Sequence, residues 1–336
     1  MQIQELEEIC KEPNDRKKYS WHDYYSLGIC IKEYAKFPKF LNLEVYTDHG
    51  PAIRKNLLPI DLNNKHKVSL LQNSLRINAF KKINKHAYCT GSPFVHYRKK
   101  RNIQIKKDAK GTVCFPFHST KYIKASFDVN DLIKKMNDLP ETFQPVTICL
   151  HHCDVEDGKH VGYIEKGFNV VSAGHKFDKK FVTRFYEILS GHKCATSNGY
   201  GSHVPYSVEM GLPFFYFDSA IRIKNIGDED FNLKEGSLDE FAHTDREMNK
   251  YEQAKLLFNE VRTVITEEQK AFAEEVLGIH DAISPKKLNR ILWREFLTNL
   301  HNILGSYLKS ILTRNIQFAK RIVKKIKYVA EIKKNI

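Results

Sequence analysis

Between residues 111 and 217 the chain repeats one pattern: a short apolar run ends in a polar loop, and a helical segment leads to the next run. The runs are GTVCFPFHST, VTICLHH, FNVVSAGH, HKCATSN and LPFFYF, joined by DVNDLIKKMNDL, VEDGKHVGYIEKG, KKFVTRFYEILSG and GSHVPYSVEMG. Antiparallel strands close through tight turns, whereas parallel strands need a crossover of about this length. The alternation therefore predicts βαβ units and an α/β fold with a parallel sheet. Right-handed crossovers would then bring the polar loops to one edge of that sheet.

The same grammar is sparser before residue 111. LEVYTDHG (43–50) and HAYCTGSPF (86–94) read as strands ending in loops, KVSLLQNSLRINAFKKI between them reads as helical, and SWHDYYSLGICIKEYAKF reads as an amphipathic helix. After Asp218 the chain turns acidic and loop-like as far as Asp245, then helical, with a capping box at Ser237 and Glu240. A boundary at NDLPETFQP (137–145) divides the chain into 1–138, 139–300 and a tail over 301–336. The expected architecture is two Rossmann-like domains with a C-terminal helical extension.

Charge narrows the function classes. The formal net charge is +14, but residues 305–336 hold nine Lys and Arg against the single acid Glu331, leaving the rest only mildly basic. A nucleic-acid binder carries its cations on the folded body among stacking aromatics, so that class is set aside. The tail has helical period, with Leu308, Ile311, Ile322 and Ile326 on one side and cations on the other. That suits an anionic membrane surface. Seven cysteines at irregular spacings fit buried thiols in a reducing compartment. The N-terminal stretch lacks signal-peptide order and no run approaches the roughly 18 apolar residues of a membrane span, so the expected location is cytoplasmic, peripheral on the plasma membrane.

The most informative segment is TSNGYGSHVPYSVEMGLPFFYF (196–217). A strand ends, a loop holding Ser197, Asn198, Gly201 and Ser202 follows, a helix begins near Ser202 and His203, and Gly-x-Pro leads into the next strand. Helix starts present unpaired N–H groups, and glycines let an anion approach the backbone, so this is a phosphate site. A second donor-rich strand end, PFHST, brings His118, Ser119 and Thr120. A third, SAGHKFD (172–178), brings Gly174 and His175. In LHHCDVEDG (150–158), neighbours on an extended segment point to opposite faces, so His151, His152, Cys153 and Asp154 are not read as a metal site, though one of the two histidines could reach substrate.

Strand, small-residue loop, helix, Gly-x-Pro and strand resembles the donor-binding half of the GT-B glycosyltransferases, over residues 111–217, about a third of the chain. The UDP-N-acetylglucosamine 2-epimerases and CDP-glycerol glycerophosphotransferases are similar, and the nearest likeness is to enzymes of bacterial capsule, lipopolysaccharide and teichoic-acid assembly. The resemblance implies that Ser202 holds the donor phosphate and that His118 stands where transferases using cytidine-monophosphate sugars contact it. Gly201 stands where that branch has a second serine, and Tyr206 where many carry an acid for the donor ribose.

It further implies a base on the N-terminal half. TDHG (47–50) offers Asp48 and His49, and a carboxylate can fix an imidazole tautomer. Ser92 in TGSPF is an acceptor-side contact, and Arg98 or Lys99 could meet an anionic acceptor. The expected ligands are a nucleotide-sugar donor and a glycan or lipid-linked acceptor, with no cofactor or catalytic metal. An epimerase, a polyol-phosphate transferase and a non-catalytic adaptor on the same fold stay open.

Overall fold

The computed structural model describes residues 2–14, 20–227, 234–238 and 249–301. Its first three strands, β1 (Tyr46–Thr47), β2 (Val68–Leu71) and β3 (His86–Cys89), form a parallel sheet in the order β1-β2-β3. The chain then forms β4 (Thr112–Phe115), β5 (Ile123–Ser126), β6 (Val146–Cys149), β7 (Asn169–Val171), β8 (Cys194–Ser197), β9 (Phe214–Tyr216), β10 (Arg222–Asn225) and β11 (Glu235–Ser237). Five of these make a second parallel sheet, in the order β7-β6-β4-β8-β9, and β11-β10-β5 is a small antiparallel sheet.

The five-stranded sheet is covered on both faces, which is why its strands read as near-continuous apolar runs. Alternate residues serve opposite cores. Val113 and Phe214 join Phe185, Tyr186, Leu189 and Val204 on one face, while Cys114 and Phe215 join Leu132, Met136 and Ile148 on the other. Helix Phe181–Ser190 shows the matching helical period, burying Val182, Phe185, Tyr186 and Leu189 before it stops at Gly191.

Three sequence expectations change. KVSLL is a strand, β2, because Val68, Ser69, Leu70 and Leu71 are all buried between flanking strands. The segment after Asp218 contributes β10, which pairs with β5, and β11, which pairs with β10. Ser237 ends β11, and its expected capping partner Glu240 lies outside the described residues. The boundary near 138 runs through the first crossover of the larger sheet. β4 pairs with both β6 and β8, so the break in strand pairing falls between β3 and β4.

The end of the described chain also belongs elsewhere. A helix over 285–301 places Leu288, Ile291 and Leu292 against Ile31, Leu43, Val45, Val68 and Leu70 of the N-terminal part. The basic tail from 302 onward lies outside the described residues. No helix among the described residues is long and apolar enough to cross a membrane.

Leu288 is fully buried in this return contact. Leu288→Ala is expected to cost about 2–5 kcal/mol in urea unfolding, the range for a buried leucine that leaves a cavity. A cost below about 1 kcal/mol would mean that the helix does not seat there.

Candidate functional site

The larger sheet reverses its winding at β4, since β6 and β7 lie to one side and β8 and β9 to the other. The crevice beyond the carboxyl ends at such a point is where open α/β sheets bind ligands. Here the crevice is faced by the loop after β1, and two adjoining chambers of about 290 and 360 Å³ lie between them. His49, Gly50, His118 and Ser202 line both. A Cβ placed on Gly50 would lie 3.1 Å from Ser202 Oγ, which is how close the two sides come.

Several residues expected to touch ligand instead build the loops. Ser197 Oγ donates to the Phe115 carbonyl at 2.6 Å and accepts the Gly199 N–H at 3.1 Å. Asn198 Oδ1 accepts the Phe117 N–H at 2.7 Å, tying the β8 loop to the β4 loop. Ser119 Oγ accepts from Ala125 N–H at 3.2 Å and from Lys159 Nζ at 3.1 Å, and Thr120 Oγ1 accepts the Ile123 N–H at 3.1 Å. These bonds close the turn beneath His118, leaving Thr120 only at the edge of the larger chamber. Gly174 lies at the wall with φ +94°, but the space its missing side chain leaves is filled by Arg184 and the Ile9 carbonyl.

The acceptor-side expectations also move. Ser92 is buried, with Oγ 2.7 Å from the hydroxyl of Tyr206, which donates to Gln72 Oε1 at 3.2 Å. Ser92 thus joins the two halves and does not face the chambers. Arg98 forms a fork with Glu209 at 2.9 and 2.6 Å, so it is not open to an acceptor, and Lys99 Nζ lies 3.7 Å from the same carboxylate.

Asp48 and His49 take different parts. Asp48 is buried and paired to Arg76, whose guanidinium also holds Asp61 at 2.6 Å. Burial raises the Asp48 pKa and Arg76 works against that rise. Tied in this way, its carboxylate fixes the loop and does not reach for a hydroxyl. His49 is exposed to the cleft, edge-on to Trp21 at 5.0 Å. The surrounding walls, with Arg54 and Arg76, lower its pKa and keep the ring neutral.

Opposite it stands a row of imidazoles that adjacency in sequence only partly disclosed. Ring centroids of His118 and His151 lie 4.4 Å apart, His151 and His152 4.3 Å, and His152 and His175 4.2 Å. His203 stacks on Phe115 at 4.8 Å. Burial depresses them all, His152 and His203 to about 3 and His175 to about 4, with His118 lowered and His151 well lowered. Neighbouring imidazoles add to the fall at His151, His152 and His203, and Lys159 and Lys176 add to it at His118 and His175. His118, His151 and His203 line the smaller chamber, with Gly201 and Ser202, whereas His152 and His175 lie behind it.

Metal-ligand atoms do converge here. His152 opens a helix, so the extended-strand argument fails at this point, and His151, His152 and Cys153 bring ligand atoms within 4.8 Å. His152, Glu156 and His175 do the same. Metal-bound histidines normally donate through the outer nitrogen. At His175, Nδ1 accepts the Phe177 N–H at 3.2 Å, which puts the neutral ring's hydrogen on Nε2, and His151 Nδ1 accepts the Cys153 N–H at 3.4 Å in the same sense. Both are arranged as Nε2–H donors, the reverse of metal ligands.

No family model, no curated protein and no solved structure matches this chain.

His152 and His175 are buried, and their pKa values lie below the ordinary value of 6.5. The unfolded chain therefore takes up protons first as pH falls, so their contribution is whole above pH 6.5 and is lost toward pH 4. Each is expected to lower stability by about 1.4 kcal/mol per pH unit across that window. Urea unfolding between pH 6.5 and 4.5 should show the slope, and His152→Gln and His175→Gln should each flatten it. An unchanged slope in both would place the acid sensitivity elsewhere.

Proposed function

We propose that this protein is a GT-B-like glycosyltransferase. It moves a sugar from a nucleotide-activated donor to a surface-glycan acceptor, without a catalytic metal. The observation that carries this reading is the meeting of His49 and Gly50, beyond β1, with His118 and Ser202 at the reversal point of the larger sheet. A donor phosphate at the start of helix His203–Met210 would meet the positive end of the helix and the Ser202 hydroxyl, since the Val204 and Tyr206 N–H groups already bond the Gly201 and Ser202 carbonyls and Pro205 has none. The anomeric carbon would then lie between that anchor and His49.

The neutral ring of His49 takes the proton of the acceptor hydroxyl as it attacks that carbon, and the nucleotide leaves with the bonding electrons. Asp48 acts through position: its pairing with Arg76 sets the loop that displays His49. The helix over 285–301, returning to the N-terminal sheet, agrees with the GT-B arrangement. The cytoplasmic membrane site and the lipid-linked form of the acceptor rest on the basic tail. Binding to anionic vesicles that falls as salt rises would support them.

A thermal-shift panel of CMP, CDP, UDP and GDP should reveal one stabilising nucleotide. His49→Ala should lower turnover about 10²-fold or more while nucleotide affinity is retained, and Ser202→Ala should weaken that affinity. Near-normal turnover in His49→Ala would remove the base. Conversion of a sugar nucleotide without acceptor would make the protein an epimerase, and no nucleotide shift with no turnover would end the enzymatic reading.

A further inference from the structure

The smaller chamber has an unusual donor inventory. Among the described residues that line it there is no carboxylate, while His49, His118, His151 and His203 all do. Asp48 and Asp61 line the adjoining chamber and are both bound by Arg76. The Nε2 atoms of His151 and His203 are buried without a hydrogen-bond partner, although buried polar atoms are nearly always partnered. At His151 the tautomer follows from the Cys153 N–H on Nδ1, so the lone Nε2 is a donor. A lone donor at His151, beside the unpartnered Nε2 of His203 in a chamber without acids, lacks an anion.

We propose that His118, His151 and His203 form an anion-holding wall for a phosphate or pyrophosphate group, and that binding the anion brings at least one proton onto these imidazoles. This rests on the donor-site reading above and adds His151 as a binding residue and the proton as a second ligand. Neutral rings are compatible with the crowding, whereas charged rings on His118 and His151, 4.4 Å apart, would repel each other, and His118 would also repel a charged His203. A dianion reverses the balance: it supplies the opposite charge that the chamber wall lacks, and it favours imidazolium beside it.

The surroundings set how many protons enter. His118 feels Asp154, which favours its charge, and Lys159, which opposes it. His151 feels only cationic or potentially cationic neighbours, His118, His152, His175 and Lys176, and His203 feels His118. His118, with the one carboxylate in range, is therefore the ring that takes the first proton. His151 then serves as a neutral Nε2–H donor, and the anion selects the same tautomer at His203.

The test uses the full-length chain with ring-15N-labelled histidine and sulfate, whose charge does not change between pH 5.5 and 7.5. Sulfate should convert one imidazole from the neutral to the imidazolium 15N pattern and shift two more. Its affinity should rise by up to about tenfold per pH unit on acidification, the limit for uptake of one proton. His151→Gln should weaken sulfate binding, and the pH dependence of wild-type binding stands as evidence even if that variant folds poorly. The stabilising nucleotide from the panel is then titrated in the same way. Nucleotide bound with every imidazole left neutral and unshifted would overturn this inference and leave the donor-site reading intact. Sulfate with proton uptake but no nucleotide binding would do the opposite, keeping the anion wall and removing the sugar-nucleotide donor. PH-independent sulfate affinity would overturn the proton.

Discussion

Arg76 is the interaction on which the geometry of the cleft depends. Its guanidinium is buried between Asp48, at the end of β1, and Asp61, in helix Pro59–Asn63, and Tyr46 adds a bond to Asp61 at 2.9 Å. Two carboxylates and one cation taken out of water are costly unless every contact is kept. The arrangement therefore tolerates one conformation of the loop after β1. That conformation displays His49 and brings Gly50 to Ser202, and through it the small N-terminal sheet acts on a site built mostly by the larger one.

The larger parallel sheet was legible because its constraint is local: its central strands β4, β6 and β8 are buried on both faces, so composition and crossover length mark it. The antiparallel sheet was not, since β5 and β10 leave residues such as Ser126, Arg222 and Lys224 exposed, and four residues of mixed polarity look like loop. KVSLL was hidden for another reason. Its apolar residues run directly into the amphipathic pattern of the following helix, and only pairing with β1 and β3 separates the two.

At the site, sequence located the loops better than the contacts. Strand-end position put His49, His118, Ser202 and His203 at the cleft, and all four line it. The same argument chose Ser119, Ser197 and Asn198, whose hydrogen bonds close turns instead. Nothing in a linear pattern says where a hydroxyl's single hydrogen goes. His151 was half visible: adjacency on an extended segment would point the two rings to opposite faces, whereas the helix that starts at His152 keeps them 4.3 Å apart, with only His151 lining the smaller chamber.

Tyr206 has a consequence for how molecules come and go. Its hydroxyl is buried between Ser92 and Gln72, and Asn73 Nδ2 nearby donates to the carbonyls of Ala52 and Val276 at 2.7 and 2.8 Å. Swinging the halves apart would strip several of these groups at once, each left bare at about 1–3 kcal/mol. The seam thus behaves as a weld rather than a hinge. Any molecule that used the cleft would then have to pass side chains and short loops at its mouth, with the two halves held together.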